Sequence, residues 1–167
     1  MKNEVFVMLF SSALSKHRLT FTRLSDCMEY IPLAAKWAED EWGYIRNKGV
    51  EYREGVMHTL RRDLYIGTYA GQPVAMFALL EHEFPNSRGL SARELMYVYV
   101  DKNYRGLGFG KQIIEEAKRL ATAVGSDLIL LDTLKPSLNR LYEKHGAKVV
   151  CEGSLFSHPT DVLSISI

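Results

Sequence analysis

The stretch Tyr104–Gln112, YRGLGFGKQ, places glycines at 106, 108 and 110. Glycine at alternate positions leaves peptide N–H groups unshielded and permits positive φ. If such a loop also opens a helix, its bared N–H groups and the positive helix end form a receiver for an anion. The flanks decide whether it does. On the N-terminal side, ARELMYVYVD (92–101) reads as a long strand carrying Tyr97, Val98, Tyr99 and Val100. On the C-terminal side the period changes at Lys111: Ile113, Ile114, Ala117, Leu120, Ala121 and Val124 fall on one helical face. Lys111, Gln112, Glu115, Glu116, Lys118 and Arg119 fall on the other, with Glu115 placed to pair with Arg119 four residues on. Gly125 closes the helix. The glycines therefore join a strand to an amphipathic helix, and a phosphate is their natural guest.

Two familiar phosphate loops are excluded by spacing. A dinucleotide fingerprint needs G-x-G-x-x-G, whereas these glycines give G-x-G-x-G. A nucleotide P-loop needs G-x-x-x-x-G-K followed by Ser or Thr; here Gln112 follows Lys111 and Arg105 stands five before Gly110. A nucleotide-dependent oxidoreductase is disfavoured on the same ground.

Outward from the loop, RLTFTRL (Arg18–Leu24) alternates as a strand. Asp26 with Glu29 makes a capping-box pattern for a helix running towards Trp42 and Gly43. Pro32 either kinks that helix or lies in its first turn. Trp37 and Trp42 are expected to pack in the core or between helices rather than touch a ligand. A weaker helical stretch covers Glu51–Arg62. DLYIGTYAGQPVAMFALLEHE then reads as a hairpin turning at Ala70, Gly71 and Gln72, and PNSRG as a loop. Beyond the central helix come DLILLDT, an apolar run suited to a strand buried on both faces, and a short helix from Pro136 to His145 ended by Gly146. AKVVCEG and DVLSISI supply two last strands. The order β-α-α-β-β-β-α-β-α-β-β is that of an α/β sandwich around a mixed sheet.

At 167 residues the chain reads as a single domain, with 1–17 as an N-terminal extension. Within it Val5–Phe10 is apolar, but the run is short and Glu4 cancels Lys2, so it reads as a small strand or helix packed on the domain rather than a leader. It is too short to span a membrane. The net charge of +1 gives no broad field for nucleic acid. Cys27 and Cys151 lack zinc spacing and are expected to be buried, reduced thiols in a cytoplasmic protein; the five histidines show no ligand spacing, and no metal is expected.

The Arg105-x-x-Gly108-x-Gly110 pattern resembles the acyl-CoA pyrophosphate loop of the GNAT superfamily of N-acetyltransferases. VYVDKNYRGLGFGKQIIEEAKRLA resembles that family's strand–loop–helix throughout, and LYEKHGA resembles its later Leu-Tyr-Glu-Lys-x-Gly-Phe signature with Ala147 in place of the aromatic. The likeness covers about 19–150. It implies a three-layer α/β/α sandwich around a mixed, mostly antiparallel sheet, and direct transfer of acetyl from acetyl-CoA to a primary amine without a metal. The acceptor would be a small molecule or a peptide, with neither nucleic acid nor membrane as partner and a homodimer left open. The alternative is a CoA-binding module of the same fold that has lost turnover.

The resemblance also assigns roles. N–H groups of Gly106, Leu107, Gly108, Phe109, Gly110 and Lys111 would surround the pyrophosphate, with Arg105 adding charge or holding the loop. Backbone atoms of Val98 and Val100 would pair with the pantetheine arm where a bulged fourth strand splays from the fifth, and an N–H near Val98 or Tyr99 would polarise the acetyl carbonyl. Tyr142 matches the family tyrosine near the CoA sulfur and is the candidate general acid. Asn139, one helical turn before it, is a candidate CoA contact; the family's more usual asparagine position holds Lys135. Glu94 is the candidate base, sharing a strand face with Met96 and Val98 unless a bulge intervenes, and Glu81, His82 and Glu83 are its rivals. The acceptor pocket would come from roughly Trp37–Tyr52, where the acidic and aromatic WAEDEWGY suits a cationic amine or is simply a solvated helix end.

Overall fold

In the computed structural model, which describes residues 17–82 and 89–167, the strands are β1 (Thr20–Arg23), β2 (Leu64–Tyr69), β3 (Gln72–His82), β4 (Ala92–Val100), β5 (Leu128–Thr133), β6 (Ala147–Leu155) and β7 (His158–Ser166). The helices are α1 (Ile31–Trp42), α2 (Val50–Leu60), α3 (Phe109–Ala123) and α4 (Pro136–Glu143). The strands form one mixed seven-stranded sheet in the order β1-β2-β3-β4-β5-β7-β6. Only β4 and β5 run parallel among the described strands; the other neighbours are antiparallel.

β3 shows why the sheet is sandwiched. Its residues Val74–Leu79 are all buried, and successive side chains point to opposite faces. Val74, Ala75, Phe77 and Leu79 join a core with Ile113, Ile114, Ala117 and Ala121 of α3 and with Tyr142 of α4. Met76 and Ala78 join a second core with Ile31, Ala34, Ala35, Trp37 and Ala38 of α1 and Met57 of α2. Both faces need an apolar strand, and each receives a helical layer. Ile113 and Ile114 are wholly removed from water, each contributing roughly 1.5–3 kcal/mol.

Several local expectations are corrected. No capping box forms, because Asp26 and Glu29 lie in short 3₁₀ turns at Leu24–Asp26 and Met28–Tyr30, and α1 starts after them. Its N-cap Tyr30 makes no side-chain cap bond, and Pro32 occupies the first turn, where its missing N–H costs nothing. Arg119 pairs with Glu116 rather than Glu115, its Nε reaching Oε2 at 3.0 Å, and Val124 is exposed on the last turn of the apolar stripe. Cys27 is buried as expected, but Cys151 is exposed because β6 is the sheet edge. The expected element at Val5–Phe10, most of the PNSRG loop and the candidate Glu83 lie outside the described residues.

Candidate functional site

β4 and β5 pair only at Ala92↔Leu128, Arg93↔Ile129 and Glu94↔Leu130. Beyond Glu94, β5 continues along β7 to Thr133↔Asp161, while β4 stays with β3 to Val100↔Ala75. The sheet therefore splits. A bulge deepens the split: the β3–β4 register shifts between Met76↔Tyr99 and Ala78↔Met96, leaving one extra residue on β4. Tyr97 takes φ +51° there, in the left-handed region that a bulky residue rarely enters.

The bulge also corrects the facing of β4. Met96, Tyr97 and Tyr99 all belong to the α1/α2 side, whereas Val98 and Val100 pack on the α3 side. Val98 is thus not on the face of Met96, because the extra residue reverses the alternation. The split opens into a cavity of about 760 Å³ lined by the second half of β4, the glycine loop, the end of β5, α4, the α1–α2 connection and the β6–β7 turn.

At one end of the cavity, Gly106 and Gly108 both take φ +83°, a conformation that glycine adopts without steric cost. Gly108 is the N-cap of α3, and the first helical bond runs from Gln112 N–H to its carbonyl. Among the described residues no acceptor within the protein takes the N–H groups from Gly106 to Lys111. A run of bared donors at the start of a four-turn amphipathic helix carries the partial positive charge of the helix end. Arg105 holds the loop in place. Its Nε donates to the Val100 carbonyl at 2.9 Å, its guanidinium carbon lies 5.6 Å from the Tyr99 ring, and Nη2 is 3.9 Å from Glu41 of α1.

Tyr142, Glu94, Val98, Tyr99, Val100, Arg105, Gly106, Gly108, Phe109, Gly110 and Lys111 all border this one cavity. Leu107 and Asn139 do not line it. The Leu107 side chain points into solvent, leaving only its N–H for the loop. Asn139 is buried, with Nδ2 donating to Asp161 at 2.8 Å and Oδ1 accepting from the Thr133 hydroxyl. Its amide fastens α4 to β5 and β7, away from the cavity lining.

Tyr142 is 7% exposed, and burial pushes its phenol up to about 12. Its hydroxyl makes no hydrogen bond to another described side chain, so it stands as a protonated donor at the cavity wall. Glu94 lies against His82, whose Nδ1 is 3.3 Å from Oε2. Only Glu94 of that pair reaches the cavity; neither His82 nor Glu81 lines it.

The far side comes from part of the Trp37–Tyr52 stretch together with Arg53 and Phe156, which the sequence did not single out. Arg53, 5% exposed, donates from Nε to Glu39 at 3.1 Å and from Nη2 to the carbonyls of Trp42 at 3.2 Å and Arg46 at 3.4 Å. Arg46 lies 5.1 Å from the Tyr52 ring and 4.6 Å from that of Phe156. Trp37 is buried as expected and stacks on Tyr99, but Trp42 borders the cavity and meets Tyr97 edge-on at 5.4 Å. Arg53 left a trace in sequence, since it shares a helical face with the buried Met57 four residues on. Arg46 with Phe156 left none, for they meet only through the fold. Among the described residues no cluster of His, Cys, Asp or Glu is placed to hold a metal, and no helix is long and apolar enough to cross a membrane.

Residues 60–146, just over half the chain, match the acetyltransferase (GNAT) domain family. No curated protein matches the sequence. Solved structures do. A chain of the NatC complex bound to Gag peptide and CoA is 17% identical with a TM-score of 0.66, covering 90% of this chain and 99% of its own. A GNAT-family acetyltransferase from Staphylococcus aureus Mu50 is 14% identical with a TM-score of 0.66 over 89% of this chain and 99% of its own. N-acetylglutamate synthase from Neisseria gonorrhoeae, complexed with coenzyme A and N-acetyl-glutamate, is 13% identical with a TM-score of 0.67; it covers 89% of this chain, which spans only 35% of that longer protein. At these identities the likeness is one of fold.

Proposed function

Because the chain belongs to the GNAT acetyltransferase family, we propose that it transfers acetyl from acetyl-CoA to a primary amine by direct attack while both substrates are bound. The observation that carries this reading is the run of unpaired N–H donors from Gly106 to Lys111 at one end of a sheet split whose wall holds a protonated, buried tyrosine. A pyrophosphate fits that run without any protein group having to give up a partner. The cavity continues from the loop along Val98 and Val100 towards Glu94, which suits a pantetheine arm. Arg105 holds the Val100 carbonyl, so Val98 is the freer backbone partner.

Glu94 takes a proton from the acceptor ammonium, which makes the nitrogen a nucleophile. His82, about a third exposed and in contact with Glu94, hands that proton to solvent. The backbone N–H of Val98 or Tyr99 supports the oxyanion as the C–N bond forms. Tyr142 donates its proton to the sulfur as the C–S bond breaks, and the second amine proton, lost from the adduct nitrogen through water, restores the tyrosine's own. Leu107 supplies only its N–H, and Asn139 positions α4.

Incubation with acetyl-CoA and a broad amine panel tests the reading, with products identified by mass spectrometry and CoA binding measured by calorimetry. N-acetyl products are expected. CoA binding with no thiol release on any amine would instead favour a non-catalytic module, and absence of CoA binding would reject the site.

A further inference from the structure

The acidic run Glu39–Glu41 looked suited to capturing a cation, but each of its carboxylates already has one. Glu39 pairs with Arg53 at 3.1 Å, Asp40 with Lys36 at 2.6 Å, and Glu41 with Arg105 at 3.9 Å. The charge left over on this side of the cavity has the opposite sign. Arg46 borders the cavity, and among the described residues it has no carboxylate partner and no side-chain hydrogen bond. The other cations bordering the cavity lie elsewhere. Lys111 is in the glycine loop beside Glu115, and Lys135 is the N-cap of α4, whose Leu141 packs against Gly110. Arg53 is consumed by Glu39 and two carbonyls.

Arg46 is also pre-organised. A guanidinium resting over aromatic rings keeps its in-plane N–H fork available while its faces are desolvated. Tyr52 comes from α2 and Phe156 from the β6–β7 turn, where Phe156 and Ser157 take φ +46° and +71°. Two elements therefore fix the fork; the positive φ at Phe156 and Ser157 is that of the two-residue hairpin turn joining β6 to β7. Such a fork matches a carboxylate with two parallel bonds.

We propose that the acceptor is an amine that also carries a carboxylate, and that Arg46 binds that carboxylate in fork geometry. This rests on the acetyltransfer reading and narrows it: the amine end faces Glu94 and the carboxylate end faces Arg46 across the same cavity. The carboxylate can belong to a free amino acid or to an acidic residue at a peptide N-terminus.

The test is binding, so that it does not depend on turnover. N-acetyl amino acids, their matched amides, and acetyl-aspartyl and acetyl-glutamyl dipeptide amides are titrated by ligand-observed NMR against the protein, with and without CoA. At least one carboxylate is expected to bind on the order of tenfold or more tightly than its amide, from a charge-assisted pair. Arg46→Gln is expected to erase that preference, and Arg46→Lys to retain part of it, while CoA affinity stays unchanged and reports an intact fold. The inference is overturned if amides bind as well as acids, if Arg46→Gln keeps the preference, or if no carboxylate binds. Loss of CoA binding by the unaltered protein would instead defeat the acetyltransfer reading. The free acids and the dipeptides separate the two sources of the carboxylate.

Discussion

Tyr142 shows how one environment sets one protonation state. Its ring is packed among the α3-side apolar groups, and burial raises the phenol from 10 to about 12, so near neutrality it holds a proton that it can donate. Tyr142→Phe is expected to lower kcat on the order of 10²-fold, with the acetyl-CoA Kd nearly unchanged, because a bond to the leaving sulfur forms mainly in the transition state. Single-turnover kinetics with the acceptor saturating check this; wild-type rates would reduce Tyr142 to packing. The same shift has a stability consequence. Folded Tyr142 keeps its proton where the unfolded chain loses it, so its contribution is whole below pH 10 and falls as pH rises towards about 12. The change is on the order of 2 kcal/mol. Urea midpoints for wild type and Tyr142→Phe should therefore converge, or cross, over that window. The tyrosine was legible because LYEKHGA is a local pattern. Asn139 was misread because spacing put it on the tyrosine's helical face but could not reveal Thr133 and Asp161 waiting there.

At the scale of the element, β4, the glycine loop and α3 act as one device, and the loop is its most testable part. A Cβ built on Gly108 meets nothing within 4 Å, so Gly108→Val does not clash with the protein. Its cost is φ +83°, about 1–2 kcal/mol for a side chain in the left-handed region, which a domain stable by about 5–15 kcal/mol survives. The expected outcome is a folded protein, a few degrees lower in Tm, with CoA affinity lost because the side chain covers the donors. Calorimetry showing unchanged affinity in folded Gly108→Val would move the site. The strand, loop and helix were legible from residue period alone. The bulge came from the family resemblance and not from the period, since its left-handed residue is Tyr97 rather than a glycine, and an inserted residue leaves no mark on composition. Likewise the Asp26/Glu29 pattern named a cap that 3₁₀ turns displaced, because local propensity yielded to the packing of Leu24 and Ile31 in the second core.

Across the whole molecule, Arg53 ties together the α1–α2 side of the cavity, the proposed acceptor side. From α2 it grips Glu39 and the carbonyl of Trp42, the last residue of α1, and the carbonyl of Arg46 in the connection between the helices. That connection carries Arg46 and Tyr44, which meet Phe156 at 4.6 Å and His158 at 5.8 Å on the β6–β7 hairpin. Such long-range contacts are set by topology, which is why the sequence showed the acceptor side only as an acidic, aromatic helix end. Arg53→Met keeps the stem but strands Glu39, whose side chain is 18% exposed, and frees both carbonyls. Breaking a largely buried pair in this way costs about 3 kcal/mol. The connection should loosen, so the acceptor KM is expected to rise on the order of tenfold while the acetyl-CoA Kd shifts little, the loop's own N–H groups being untouched. Adding Glu39→Leu removes the stranded charge and should restore most of the stability. It cannot restore the bonds to Trp42 and Arg46, so the acceptor KM should stay high in the double variant. Urea unfolding and two-substrate kinetics on the single and double variants separate the two effects. If KM recovered together with stability, Arg53 would be a general strut rather than the residue that positions the acceptor side.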